Sequence, residues 1–171
     1  LLGNESFAVF LPDEILLSKS DKNSFFHMME AWKKTAEGQI MVEKINKKNS
    51  FKYGMADLDN KTIKINESKE ILNLIEKPSS IKSPSNYRVV GRYILPNAVM
   101  DCLQKTKDDE DGEIQLTDAL VSFLKSSKLN AFLTDSEIFD CGEKKGFIGA
   151  NISLAKQDKF MKNYMEKIIK N

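Results

Sequence analysis

Phe7-Ala8-Val9-Phe10-Leu11, halted by Pro12 and followed by Asp13 and Glu14, is the stretch from which the fold can be read. A short continuous apolar run reads as a buried strand of a largely parallel sheet, because neither of its faces offers water a polar side chain. Proline lacks the N–H that would extend the ladder, so the strand stops there with two acids at its carboxyl end. Downstream, Phe25, Phe26, Met29 and Trp32 recur at helical spacing, with Asn23 or Ser24 placed to cap the helix. Gly38 follows, and Ile40-Met41-Val42 resumes an extended run. The order strand, helix, strand argues for an α/β architecture with right-handed crossovers.

The middle of the chain is rich in strand signals, over residues 53–58, 63–65, 71–75 and 87–95. Turn formers such as Asp59-Asn60-Lys61 and Pro78-Ser79-Ser80 separate them, and the pair around Asn60 reads as a hairpin. Residues 97–106 and 117–126 then read as helices, the second with Thr117 as N-cap and Leu120, Val121 and Leu124 on its buried face. The acidic stretch 108–112 between them reads as flexible. Two short strands, 131–133 and 137–139, precede closing helices at about 145–156 and 159–169. Along the last helix Phe160, Tyr164 and Ile168 share one face, expected to dock on the domain or on another subunit. The expectation is one domain over residues 1–171, its C-terminal helices occupying 143–171.

Composition narrows the function. With 26 basic and 25 acidic residues the net charge is +1, which implies neither a nucleic-acid surface nor an acidic partner. No apolar run approaches the roughly 18 residues of a membrane helix, so no membrane partner is expected. Two cysteines, Cys102 and Cys141, are too few for a disulfide framework, and a reducing, cytoplasmic setting is the simplest reading. The chain begins at Leu1 rather than Met, directly before the first strand, and reads as cut from something longer.

Ligands of α/β sheets gather beyond the carboxyl ends of strands. Asp13 and Glu14 stand there after the first strand, Glu76-Lys77-Pro78 after residues 71–75, and Asp140 after 137–139, with Gly142 allowing a sharp turn. Two carboxylates from separate strand ends are what a magnesium–phosphate site needs, since Mg²⁺ takes one or two carboxylates plus phosphate and water oxygens. A lysine beside them would neutralise a phosphate as a point charge, and a glutamate could accept hydrogen bonds from sugar hydroxyls. The chemistry is transfer on a phosphoryl group, governed by positioning and charge neutralisation. Each residue also has a plainer reading: Asp13 as a turn former, Glu76-Lys77 as a solvated strand end, Asp140 as a cap for the helix near Lys144. His27, the one histidine, reads as a packing residue, as do Met28, Met29, Met161 and Met165.

Six strings occur in order: FAVFLPDE (residues 7–14), KYGMAD (52–57), LIEKP (74–78), PSNYRVVGRYIL (84–95), GEIQLTDAL (112–120) and FDCGEKKGF (139–147). Together they resemble the bacterial UTP–glucose-1-phosphate uridylyltransferases over about residues 7–156. The resemblance implies a nucleotide-diphospho-sugar transferase fold, Rossmann-like and three-layered α/β/α around a mixed sheet, here N-terminally truncated. It implies joining of glucose 1-phosphate to UTP, giving UDP-glucose and pyrophosphate with Mg²⁺, in a parent protein that is a homodimer or homotetramer. By the same resemblance Asp13 and Asp140 are the metal carboxylates, Gly54 the glycine whose backbone approaches the sugar, Glu76 the holder of glucose hydroxyls, and Lys77 the phosphate-binding lysine.

Two departures stand out. Glu14 replaces a second aspartate common in the family, and the family's Gly-rich nucleotide loop with its Arg and Lys is not found in these 171 residues. The parent is therefore expected to be an enzyme and this chain alone inactive. Two other readings remain: a sugar-phosphate nucleotidyltransferase with another base, such as a thymidylyltransferase, or a non-catalytic module derived from the fold.

Overall fold

The computed structural model describes residues 3–58, 62–108 and 112–169. In chain order the elements are β1 (Phe7–Phe10), β2 (Glu14–Leu17), α1 (Ser24–Thr35), β3 (Gly38–Lys44), a 3-10 helix (Lys47–Lys52), β4 (Met55–Leu58), β5 (Ser68–Ile75), β6 (Tyr87–Leu95), α2 (Ala98–Lys105), α3 (Leu116–Leu124), β7 (Leu129–Leu133), β8 (Glu137–Asp140), α4 (Lys144–Gln157) and α5 (Lys159–Ile169). Six strands form one sheet in the order β1-β6-β3-β7-β5-β4, with a further contact of β4 on β6, and β2 pairs with β8 in a separate ribbon.

The sheet is mixed, and alternation along its strands loads both faces. Ile40, Val42, Tyr93, Leu95, Leu129 and Ala131 point to one side, where Val99 of α2 and Leu120 and Phe123 of α3 cover them. Met41, Val90, Ile94 and Phe132 point to the other, beneath Met28, Phe25 and Trp32 of α1. Period-2 side-chain alternation gives a central strand two apolar faces, and each needs its own helical cover. Helix α1 starts where the sequence placed it: Asn23 Oδ1 accepts from the Phe26 N–H at 2.8 Å. Ala36 ends the helix in the left-handed region, its N–H donating to the Trp32 carbonyl at 2.7 Å.

Several local expectations are corrected. The first strand is not an interior parallel one: β1 lies at the sheet edge, antiparallel to β6 from Phe7↔Leu95 to Phe10↔Arg92. It is half-covered, and Phe10 is 53% exposed, lying on Phe25 with the Arg92 guanidinium above its ring. The only parallel pair among the described residues is β3 with β7. Residues 63–65 form no strand. Ile63 is buried in the core, but a turn closes directly after it, with Glu67 N–H on the Lys64 carbonyl and Asn66 at φ 62°. The partner of β4 is β5, and the turn at 59–61 lies outside the described residues, as does part of 108–112. Met161 is exposed, as are Phe160, Tyr164 and Ile168, and α5 packs mainly on α4. Among the described residues no helix is long and apolar enough to cross a membrane.

Beneath the ribbon lies a buried charge network. Glu14 is only 8% exposed; its Oε1 accepts from Arg88 Nη1 at 2.6 Å and its Oε2 from the Gly91 N–H. Arg88 Nε donates to Glu43 Oε2 at 2.6 Å, and its guanidinium lies 4.4 Å from the Tyr53 ring centre. Burial disfavours the Arg88 charge, but the two carboxylates overcome this and hold its pKa above the ordinary value. Because it leaves Arg88 one acceptor short and the buried Gly91 N–H without its partner, Glu14→Ala should destabilise the chain by about 1–3 kcal/mol in urea denaturation. Glu14→Leu combined with Arg88→Met should recover most of that loss. An E14A chain as stable as the wild type would contradict this account of the network.

Candidate active site

A cavity of about 340 Å³ opens at the strand ends, and the two groups of residues singled out in the sequence face it from different elements. Asp13 and Asp140 enter from the ribbon. Glu14 pairs in register with Asp140, and Cys141 N–H donates to the Asp13 carbonyl at 2.6 Å, so the two strand ends are held side by side. A methyl group on Gly142 would stand 3.1 Å from Asp140 Oδ1 and 3.6 Å from Asp13 Oδ2, so both carboxylates border one small space. Helix α4 is seated against this corner through Gly146, where a Cβ would lie 1.9 Å from the Asp140 carbonyl oxygen. Only glycine allows that approach.

Gly54, Glu76, Lys77 and Thr117 line the same cavity from the start of β4, the end of β5 and the first turn of α3. A Cβ on Gly54 would come 3.0 Å from Glu76 Oε2 and 3.6 Å from Thr117 Oγ1, so glycine keeps this wall clear. Thr117 is not the cap of α3, which begins one residue earlier; its hydroxyl donates to Glu76 Oε2 at 2.7 Å. Lys77 carries its charge to the cavity from a left-handed backbone, φ 41°, with its N–H on the Tyr53 carbonyl at 3.1 Å. For a residue with a Cβ that conformation costs about 1–2 kcal/mol.

Glu14 also borders the cavity, but both its oxygens are engaged inward by Arg88 and Gly91. At the mouth, Lys52 Nζ meets Glu143 Oε1 at 2.5 Å. That hydrogen bond raises the Lys52 pKa and lowers that of Glu143. Burial, with Glu14, Glu76 and Asp13 nearby, pushes the Tyr93 phenol well above its usual range, so it stays protonated. His27 lies elsewhere, edge-on to Phe26.

All five residues selected from the sequence thus meet in one cavity. Arg88, Thr117, Lys52 and Tyr93 were not selected. An arginine between Tyr87 and Val89, one of two in a largely apolar strand, was the available signal for the buried network. For Thr117 the signal was hidden, because a threonine before an apolar helical run is also what a cap looks like.

Comparison with known proteins gives a consistent picture. Residues 1–157 match the nucleotidyl transferase family. A UTP–glucose-1-phosphate uridylyltransferase of Haemophilus influenzae is 37% identical over 100% of this chain and 59% of its own length. A relative of the same name from Staphylococcus haemolyticus is 34% identical over 99% of the chain and 57% of its length. The chain therefore spans less than two thirds of these relatives. Among solved structures, a UTP-bound UGPase from Acinetobacter baumannii superposes with a TM-score of 0.88 at 31% identity, covering 98% of this chain and 57% of its own. A UDP-glucose pyrophosphorylase complexed with UDP-glucose gives 0.84 at 30% identity, covering 92% and 58%.

The backbone at Lys77 provides a direct test of strain. Glycine relieves the left-handed penalty but loses more entropy on folding, for a net gain of about 0.5–1 kcal/mol. Lys77→Gly should therefore be more stable than Lys77→Ala by that amount in thermal or urea denaturation. Equal stability of the two variants would show that the backbone there is unstrained.

Proposed function

The chain belongs to the nucleotidyl transferase family, and we propose that its cavity is the sugar-phosphate side of a UTP–glucose-1-phosphate uridylyltransferase site. The observation that carries the reading is the make-up of the cavity. It brings a carboxylate, a lysine and a glycine-cleared space at Glu76, Lys77 and Gly54 together with the paired carboxylates Asp13 and Asp140. Glucose 1-phosphate is a set of hydroxyls joined to a dianion, and Glu76 and Lys77 offer a partner to each part. The resemblance to uridylyltransferases over nearly the whole chain supports the choice of sugar and nucleotide.

In this reading Glu76 accepts hydrogen bonds from glucose hydroxyls while Gly54 lets the ring approach the backbone. Lys77 pairs with the phosphate as a point charge. Asp13 and Asp140 fit Mg²⁺, whose preferred donors are one or two carboxylates completed by phosphate and water oxygens. Bound there, the ion would supply neutralisation of negative charge on phosphate oxygens. In the whole protein an oxygen of the glucose 1-phosphate attacks the α-phosphorus of UTP. A new P–O bond forms, the bond from the α-phosphorus to the β-phosphate oxygen breaks, and pyrophosphate leaves with the electron pair. The nucleophile is largely ionised at neutral pH, the second pKa of a phosphate ester being about 6, so no side chain need remove a proton. The contribution of the residues is placement and charge complementarity. A cytoplasmic setting accords with the two unpaired cysteines, Cys102 and Cys141.

Calorimetric titration of the 171-residue chain with glucose 1-phosphate in magnesium buffer tests the proposal. Lys77→Ala should weaken binding by about tenfold or more, the loss of a charge-assisted contact. Asp13→Asn should abolish the dependence of binding on magnesium. A folded wild-type chain that binds no glucose 1-phosphate, or a K77A chain that binds it equally well, would sink the assignment.

A further inference from the structure

Thr117 stands at the first turn of α3, where a hydroxyl is ordinarily engaged with the helix's own free N–H groups. Its Oγ1 instead donates to Oε2 of Glu76, 2.7 Å away and 41 residues distant in sequence. Both residues are half-buried and both border the cavity. The bond matters because of how a glutamate is built. Its last torsion joins an sp³ to an sp² carbon and has no sharp staggered minima, so rotamer preference leaves the carboxylate plane open. Here Thr117 closes that freedom, fixing Oε2 from α3. A threonine hydroxyl has one proton, and Glu76 takes it. Among the described residues Glu76 Oε1 accepts no hydrogen bond and is left for a ligand.

We infer that Thr117 is a positioning residue for sugar recognition: its hydroxyl sets the plane of the Glu76 carboxylate so that Oε1 faces a pyranose hydroxyl. The inference rests on the cavity's being a sugar-phosphate site. It adds a residue that touches no reacting atom and whose loss falls on the sugar half of the ligand alone. The phosphate half, paired with the Lys77 side chain, which Thr117 does not hydrogen-bond, is unaffected by it. Helix α3 thereby acts as part of the specificity wall as well as a cover for the sheet.

The test compares wild type, Thr117→Ser and Thr117→Val, each titrated calorimetrically with glucose 1-phosphate and with methyl phosphate, which has no sugar. T117V keeps the shape and loses the hydroxyl, so it should bind glucose 1-phosphate about tenfold more weakly, the usual effect of losing a hydrogen bond to a charged group. Its affinity for methyl phosphate should match the wild type. T117S keeps the donor and should restore glucose 1-phosphate binding to within about twofold, a rescue that packing alone does not predict. Should T117V fail to fold by circular dichroism, Thr117→Ala takes its place in the same comparison. The inference is overturned if the hydroxyl-free variant binds glucose 1-phosphate like wild type, if it loses both ligands equally, or if T117S loses as much as T117V. A wild-type chain that binds methyl phosphate but not glucose 1-phosphate would instead overturn the reading of the cavity, and this assignment with it.

Discussion

The ion network of Arg88 with Glu14 and Glu43 is the constraint on which the rest of the structure depends. A guanidinium 3% exposed has to find acceptors inside the protein, since water no longer supplies them. Glu14 answers from the ribbon, Glu43 from the central sheet, and the Tyr53 ring covers the guanidinium plane. The network therefore joins β2, β3, β6 and the segment leading to Gly54 in one electrostatic knot. With Glu14 fixed, Asp13 before it and Asp140 opposite it have little freedom left. The length of the Glu14 side chain acquires a physical meaning here, because it reaches inward to both Arg88 and the Gly91 N–H.

The cavity is shaped as much by what is missing from side chains as by what is present. A methyl group at Gly146 would collide with the Asp140 main chain, and one at Gly54 would crowd Glu76. Lys77, by contrast, keeps its side chain in a backbone region that disfavours one. These are opposite solutions to one problem, the crowding of several chain segments around a small cavity. At Gly54 and Gly146 the side chain is dropped so that segments touch; at Lys77 it is retained at a conformational cost because its charge faces the cavity.

Much of the architecture was legible because it is local. The Asn23 cap spans three residues, the alternation that defines β6 spans nine, and the acids and lysine at strand ends are visible as neighbours in the chain. What escaped was set by distance. The apolar run at residues 7–11 has the composition of an interior strand, yet whether a strand lies inside or at an edge is decided by partners far away in sequence. Ile63 and Ile65 carry β-branched side chains, but only Ile63 is held by the core before the chain turns. Thr117 and Arg88 failed to declare themselves for the same reason. A threonine reads as a cap until a carboxylate from another element claims its proton, and an arginine in a strand reads as a surface residue until its two acids are located.

Gly146 carries a mechanical implication. Helix α4 rests on the main chain of Asp140 with no room for even a methyl group between them, and it runs roughly 16 Å beyond that contact before α5 folds back on it. An α-helix of that length is stiff, so α4 is a lever whose fulcrum is the peptide group carrying one of the two paired carboxylates. The outer apolar surface of α4 and α5, with Phe147, Ile152, Phe160 and Tyr164 open to solvent, is the handle of the lever. That surface is joined to the Asp140 corner of the cavity through a single helix.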